Sequence, residues 1–70
     1  MIRQTVSSSN IRSIGYDAKF QTLEIEFQDG DIYQYFSIPK SIYNALMSAS
    51  SHGSFFHCSI KDQYQCTKIQ

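Results

Sequence analysis

The sequence predicts a small α+β domain, in which an antiparallel β-meander packs against one amphipathic helix and a short second helix. Three strands are expected, and a fourth C-terminal strand is left open. Polar and apolar residues alternate along 22–27, which is the period of a half-buried strand. Apolar residues then recur at helical spacing after Pro39. The 70 residues leave room for one core and therefore one domain.

The N-terminal residues 1–10 are mostly polar or small and include a serine run. We interpret them as a poorly ordered lead-in or a short edge segment, and we assign 11–70 to the single domain. The first strand is predicted over 11–20, because Gly15 interrupts any helix there and the segment ends in turn-forming residues.

Turn residues at 28–30 join the alternating segment to a second β-prone run at 31–36, which predicts a hairpin. A three-residue loop would place Tyr33 opposite Ile25 and Tyr35 on the same apolar face. A two-residue loop would shift the register by one residue and turn both tyrosines into an exposed surface. We favour the three-residue loop, since it gathers the apolar side chains on one face.

The first helix is predicted over 39–50, with Ser37 as its N-cap and the left-handed Gly53 after its end. Apolar spacing predicts a second, short helix over 54–63. The open fourth strand would follow it, over 66–69.

The balance of charge limits the partners that the domain can have. Six basic and six acidic side chains give a net charge of zero, which disfavours indiscriminate binding to duplex nucleic acids. No apolar signal region and no run long enough to span a membrane are present, so we expect a cytoplasmic protein without membrane contact. Because the core is small, a homo-oligomer and a monomer both stay open.

The side chains capable of catalysis or metal binding form no recognisable set. Cys58 and Cys66 are interpreted as reduced, partly buried thiols, since no secretory signal accompanies them. His57 and Cys58 are adjacent and would diverge on a helix, which fits neither a metal site nor a catalytic pair. Glu24 and Glu26 are interpreted as exposed strand residues. We therefore expect no enzymatic activity, no metal and no cofactor.

Short motifs occur in a definite order along 11–64. They are Gly15-Tyr16-Asp17, Leu23-x-Ile25-x-Phe27, Gly30-x-x-Tyr33-Gln34-Tyr35, Ile38-Pro39 with Tyr43 and Leu46, Ser51-x-Gly53, and Ile60-Lys61-x-x-Tyr64. Together they resemble the KTSC domain, which is found at the C-terminus of some lysyl-tRNA synthetases and alone in bacteria and phages. The resemblance suggests RNA binding. His57 and Lys61 stand where the family usually has Asn and Arg.

Two classes of binding function follow. In the first, the domain binds RNA or a nucleotide-type ligand, because aromatic rings can stack on bases and basic side chains can contact phosphates. The candidate residues are Tyr33, Tyr35, Lys61, Arg12, Lys40 and Tyr64. In the alternative, the domain is a protein-interaction or inhibitor module that docks on a larger host complex, as a phage-encoded protein could. In the favoured register, both hairpin tyrosines would instead pack under the helix.

Overall fold

A computed structural model describes all residues from 1 to 70. One antiparallel sheet has its five strands in sequence order, and two helices are inserted between the last two strands. The strands are β1 (Arg3–Thr5), β2 (Ile11–Asp17), β3 (Thr22–Phe27), β4 (Ile32–Tyr35) and β5 (Cys66–Lys68), and the helices are α1 (Lys40–Ser48) and α2 (His52–Ser59). The α+β class and the closing strand are confirmed.

The sheet has one strand more than the largest predicted count of four. The additional strand is β1, an edge strand in the segment for which the sequence allowed a lead-in or an edge. Strand β2 ends at Asp17, earlier than predicted, because the Asp17 carboxylate accepts hydrogen bonds from the amides of Lys19 and Phe20 and closes a turn.

The β3–β4 hairpin has the three-residue loop that the sequence favours. Leu23 pairs with Tyr35 and Ile25 with Tyr33, which confirms the predicted register. Gly30 has φ of 96°, a left-handed conformation that glycine adopts without steric cost. Both tyrosines therefore lie on the face that the helices cover.

The core lies between that face and the two helices. It consists of nine buried side chains, namely Ile11, Ile14, Leu23, Ile25, Tyr35, Ile38, Leu46, Phe56 and Ile60. Helix α1 is anchored by Leu46 and by the ring of Tyr43, which stacks on Tyr16 with centroids 4.6 Å apart. Helix α2 is anchored by Phe56, whose ring meets the aromatic rings of β3 and β4.

The bounds and caps of both helices differ from the sequence prediction. Pro39 is the N-cap of α1, and Ser37 makes no cap because it takes a left-handed φ of 60° before the helix. Helix α2 begins at His52 and ends at Ser59, so it lies earlier than predicted. Gly53 is inside its first turn, and Ser51 caps it by accepting a hydrogen bond from the Ser54 amide at 3.2 Å.

The face of the sheet opposite the helices carries polar side chains, but not all of them are exposed. Glu24, predicted to be exposed, is only 7% exposed. Its carboxylate accepts from the Arg3 guanidinium at 2.5 Å and from the Gln34 amide at 2.9 Å. The prediction of an exposed Glu24 was wrong because strand alternation does not reveal that Arg3 of the edge strand β1 lies over Glu24. Neither helix is long and apolar enough to cross a membrane.

Candidate functional site

An open cleft of about 450 Å³ lies where the ends of β3 and β4 meet helix α2 and the turn that follows it. Its floor consists of four aromatic residues, Phe27, Tyr33, Tyr35 and Phe56. We call this cavity the aromatic cleft. Alternation places three of these rings on one sheet face, and the fourth comes from α2, so the hairpin and the helix build the floor together.

The four rings form a connected cluster in which only some faces are accessible. Phe27 meets Tyr33 edge to face at 6.0 Å, and Tyr35 meets Phe56 edge to face at 5.3 Å. Tyr35 and Phe56 are each 5% exposed, whereas Phe27 and Tyr33 are half-buried. A ligand ring can therefore contact Phe27 and Tyr33, while Tyr35 and Phe56 hold them in place.

The rim of the aromatic cleft carries more negative than positive charge. Asp29, Asp31 and Asp62 line it, and Lys61 is its one lysine. Asp31 is paired with the Lys68 ammonium at 3.4 Å, and both partners are largely solvated. The rim can accept hydrogen bonds from a ligand, but it disfavours a phosphate group within the cleft.

A second cavity, of about 380 Å³, adjoins the first at the beginning of α2. Its lining has no apolar side chain and no carboxylate, and consists of Ser9, Asn10, Ser51, Gly53, Ser54 and His57. We call it the hydroxyl pocket. Asn10 and His57 line both cavities, so the two share part of their walls.

The hydroxyl pocket includes a close contact between the Asn10 side chain and Gly53. The Asn10 side chain lies so close to Gly53 that any Cβ there would overlap its amide oxygen. The Asn10 carbonyl in turn accepts a hydrogen bond from the Gln28 amide at 2.9 Å, which fixes the loop before β2 against the hairpin. A side chain at position 53 would therefore displace the Asn10 side chain from the hydroxyl pocket.

Comparison with known proteins identifies the fold family. The family model described as the KTSC domain matches residues 7–64, most of the chain. The chain belongs to the KTSC domain family. The resemblance inferred from the sequence motifs is confirmed.

Relatives of this KTSC domain occur alone and as parts of larger proteins. A crystal structure of a KTSC domain protein from Yersinia pestis is 47% identical and covers 99% of this chain and 97% of its own, with a TM-score of 0.94. An uncharacterized protein of Stutzerimonas stutzeri is 41% identical over 91% of this chain and 90% of its own length. A lysine–tRNA ligase of Nostoc sp. is 40% identical over 87% of this chain, which corresponds to only 11% of the ligase.

The KTSC fold brings three of the six candidate residues together. Tyr33, Tyr35 and Lys61 all line the aromatic cleft. The other three do not. Arg12 lies on β2 and contacts Gln28, Lys40 is the exposed first residue of α1, and Tyr64 packs against the core.

Sequence reasoning did not identify several residues of the site. Asn10, Phe56 and Asp62 come from three separate segments that only the folded chain brings to one cavity. His57 was weighed as a metal or catalytic side chain and as a departure from the family pattern, but it was not among the candidate ligand residues. The one local signal was Gly53, which we interpreted as a helix terminus although the fold uses it to admit Asn10.

The cysteines differ from the prediction in their exposure. Cys58 and Cys66 are both free and both exposed, because Cys58 lies on the solvent side of α2 and Cys66 on an edge strand. Cys66 lines the aromatic cleft. No group of three metal-ligating side chains converges in the structure.

Alkaline pH should weaken the fold through Tyr35. Burial, and then the neighbouring Cys66, Tyr33 and Asp62, raise the pKa of Tyr35 well above its ordinary value of 10.0. The unfolded chain loses this proton near pH 10 while the folded chain keeps it, so the stabilisation is complete below pH 10 and is lost above it. We expect the free energy of unfolding to fall by up to about 1.4 kcal/mol per pH unit for this group.

Urea unfolding at a series of pH values from 8 to 11 measures this loss. Tyr35→Phe retains the ring and removes the titrating hydroxyl, so its stability should fall less steeply in this range. Equal slopes for the two proteins would show that Tyr35 does not carry the effect.

Proposed function

We propose that this KTSC domain is a non-catalytic module that binds one nucleotide unit, either free or within single-stranded RNA. The observation that carries the proposal is that an aromatic cleft and a hydroxyl pocket lie side by side and share Asn10 and His57. A nucleotide has two parts that match these two cavities, because the faces of its base are flat and apolar and its phosphate is anionic.

The charges favour one orientation of the ligand. The carboxylates of Asp29, Asp31 and Asp62 repel phosphate and can accept hydrogen bonds from the amino and ring N–H groups of a base. The hydroxyl pocket holds no carboxylate, and the hydroxyls of Ser51 and Ser54 lie there at the positive end of α2. We therefore place the base against Tyr33 and the phosphate beside Ser54.

The net charge of zero is compatible with a single phosphate. Binding along a nucleic-acid backbone needs many cations, whereas one phosphate can be held by a few hydroxyls, backbone amides and one imidazole. Lys61 is the rim residue that can reach a second phosphate of a longer chain. The relationship to segments of lysine–tRNA ligases adds support for an RNA source of the nucleotide.

Two matched substitutions test the proposal by calorimetric titration with the four nucleoside monophosphates. Ser54→Asp places a carboxylate in the hydroxyl pocket, and a carboxylate in the first turn is favourable for a helix, so the variant should fold. We expect its affinity to fall at least tenfold, or about 1.4 kcal/mol. Ser41→Asp makes the same change at an exposed serine in the first turn of α1 and should bind as the unmodified chain does.

The source of the nucleotide is resolved by the same assay with short single-stranded RNA. Tighter binding of RNA than of a monophosphate, with a steep dependence on salt, would assign the site to RNA. Equal affinities would assign it to a free nucleotide. Absence of saturable binding by every ligand, or an unchanged affinity of Ser54→Asp, would refute the proposal.

A protein-interaction role has one observation of its own in its favour, the unpaired edge of β5. An extended segment of another protein could add to that edge as a further strand. A host protein that binds this domain with equal affinity after Ser54→Asp would support that role.

A further inference from the structure

The Tyr35 hydroxyl has no hydrogen-bond partner within the chain, although Tyr35 is only 5% exposed. Among the tyrosine hydroxyls, only that of Tyr16 makes a hydrogen bond, to the Ile38 carbonyl at 2.6 Å. Every side-chain polar atom that is fully enclosed has a partner, so the unpartnered Tyr35 hydroxyl must reach open space. Tyr35 lines the aromatic cleft, and its hydroxyl therefore opens into that cleft. A ligand can supply the missing partner.

Asp62 provides free acceptor atoms in the same cleft. Of the three carboxylates on the rim, Asp31 pairs with Lys68, and Asp29 accepts a hydrogen bond from the Asp31 amide at 2.9 Å. Asp62 takes part in none of the ion pairs of the chain, and its side chain makes no hydrogen bond. Both of its carboxylate oxygens are therefore available to a ligand.

The two groups differ in hydrogen-bonding character and lie near one another. Burial, and then the nearby Cys66, Tyr33 and Asp62, raise the pKa of Tyr35 well above its ordinary value of 10.0. The hydroxyl therefore keeps its proton at neutral pH and can donate it to a ligand. The contribution of Asp62 to this shift places its carboxylate in the neighbourhood of the hydroxyl. Together they offer one donor beside two acceptors.

We propose that Tyr35 and Asp62 select guanine, so that the ligand of this site is a guanine nucleotide. This inference rests on the proposed function. The Watson–Crick edge of guanine presents the O6 acceptor beside two donors, the N1–H and the 2-amino group, and it is complementary to a hydroxyl beside a carboxylate. The rings of Tyr33 and Tyr35 have centroids 6.3 Å apart, so a base in contact with Tyr33 can also reach the Tyr35 hydroxyl.

The other three bases satisfy only part of this set. Adenine and cytosine each offer one amino group to the carboxylate and one ring nitrogen to the hydroxyl. Uracil offers a single N–H between two carbonyl oxygens. Each of them leaves one oxygen of Asp62 without a donor, and a site that forms hydrogen bonds with one ligand binds an analogue that lacks them less tightly.

Calorimetric titration of the unmodified chain with five monophosphates tests the selection of the base. Inosine monophosphate is the most informative, because it keeps O6 and N1–H and lacks the 2-amino group. We expect guanosine monophosphate to bind about tenfold more tightly than the inosine, adenosine, cytidine and uridine compounds, since each loses a hydrogen bond to a charged group. Equal affinities, or a preference for another base, would overturn the selection of guanine and leave the proposed function intact. Absence of saturable binding by all five would refute the proposed function itself.

Asp62→Asn tests the role of the carboxylate. An amide replaces one of the two acceptors with a donor, so the preference for guanosine over inosine monophosphate should fall to about twofold or less. Asp17→Asn removes the same charge at the other end of β3, where the amide oxygen can still accept from the Lys19 and Phe20 amides, and should keep the preference. An unchanged preference in Asp62→Asn would overturn the role of Asp62.

Tyr35→Phe tests the role of the hydroxyl and keeps the ring that the core needs. Guanosine and inosine monophosphates both carry O6, so both should bind about fivefold more weakly while the ratio of their affinities stays the same. Tyr43→Phe removes a tyrosine hydroxyl on α1, outside the cleft, and should leave both affinities unchanged. Unchanged affinities in Tyr35→Phe would overturn the role of the Tyr35 hydroxyl.

Discussion

Tyr35→Ala should abolish or severely reduce the stability of the domain. Tyr35 is 5% exposed and belongs to the core, where its ring contacts Phe56 and Tyr33. Removing a buried aromatic ring costs about 3–5 kcal/mol, which is comparable to the whole stability of many domains of this size. Thermal unfolding followed by circular dichroism measures the loss, and we expect a broad or absent transition.

Tyr33→Ala is the matched control, because Tyr33 lies two residues away on the same strand and is half-buried. It should unfold cooperatively with a smaller loss and bind nucleotide more weakly. A Tyr35→Ala protein as stable as the unmodified chain but unable to bind ligand would mean that Tyr35 acts as a binding surface and does not support the core.

Arg3→Met should cause the second largest loss of stability, because it removes the guanidinium that pairs with the Glu24 carboxylate. The Glu24 side chain is 9% exposed and the Arg3 side chain 28%, so removal of the guanidinium leaves a nearly buried carboxylate with Gln34 as its remaining partner. A fully buried pair loses about 3–5 kcal/mol when one partner is removed. Because Arg3 is partly solvated, we expect about 2–3 kcal/mol.

An exposed ion pair on the same sheet provides the control. Arg12 lies 3.8 Å from Glu26 and its side chain is 51% exposed, so Arg12→Met should cost less than about 1 kcal/mol. The double variant Arg3→Met, Glu24→Leu removes the orphaned charge and should recover most of the stability. Urea unfolding of the unmodified chain and of these three variants measures the losses of stability. Equal losses for Arg3→Met and Arg12→Met would contradict the assigned burial of Glu24.

The parts of the fold that the sequence predicts are those determined by local physics. The β3–β4 hairpin follows from strand alternation, from turn residues and from Gly30, all within fifteen neighbouring positions. Strand β1 has no such signal, because Arg3–Thr5 is polar throughout. It is held by pairing with β2 and by the contact of Arg3 with Glu24, neither of which is visible in a polar tripeptide.

The residues of the candidate site also divide into those that have a local sequence signal and those that have none. Tyr33 and Lys61 carry recognisable chemistry, and the sequence named both as candidates that the structure places in one cavity. Asn10 and His57 join the two cavities, but they are 47 positions apart in the chain. The Asn10 side chain lies against Gly53 in the first turn of α2, and sequence spacing does not report a contact of this kind.

The central claim is that the two cavities hold one nucleotide together. Titration of the nitrogen-15-labelled protein with the tightest-binding monophosphate, followed by amide chemical shifts, tests it most directly. We predict saturable shifts at Gly53, Ser54 and His57 together with Tyr33, and smaller changes at Arg3 and Glu24 on the opposite face. Shifts confined to one of the two cavities, or to the opposite face of the sheet, would contradict the claim.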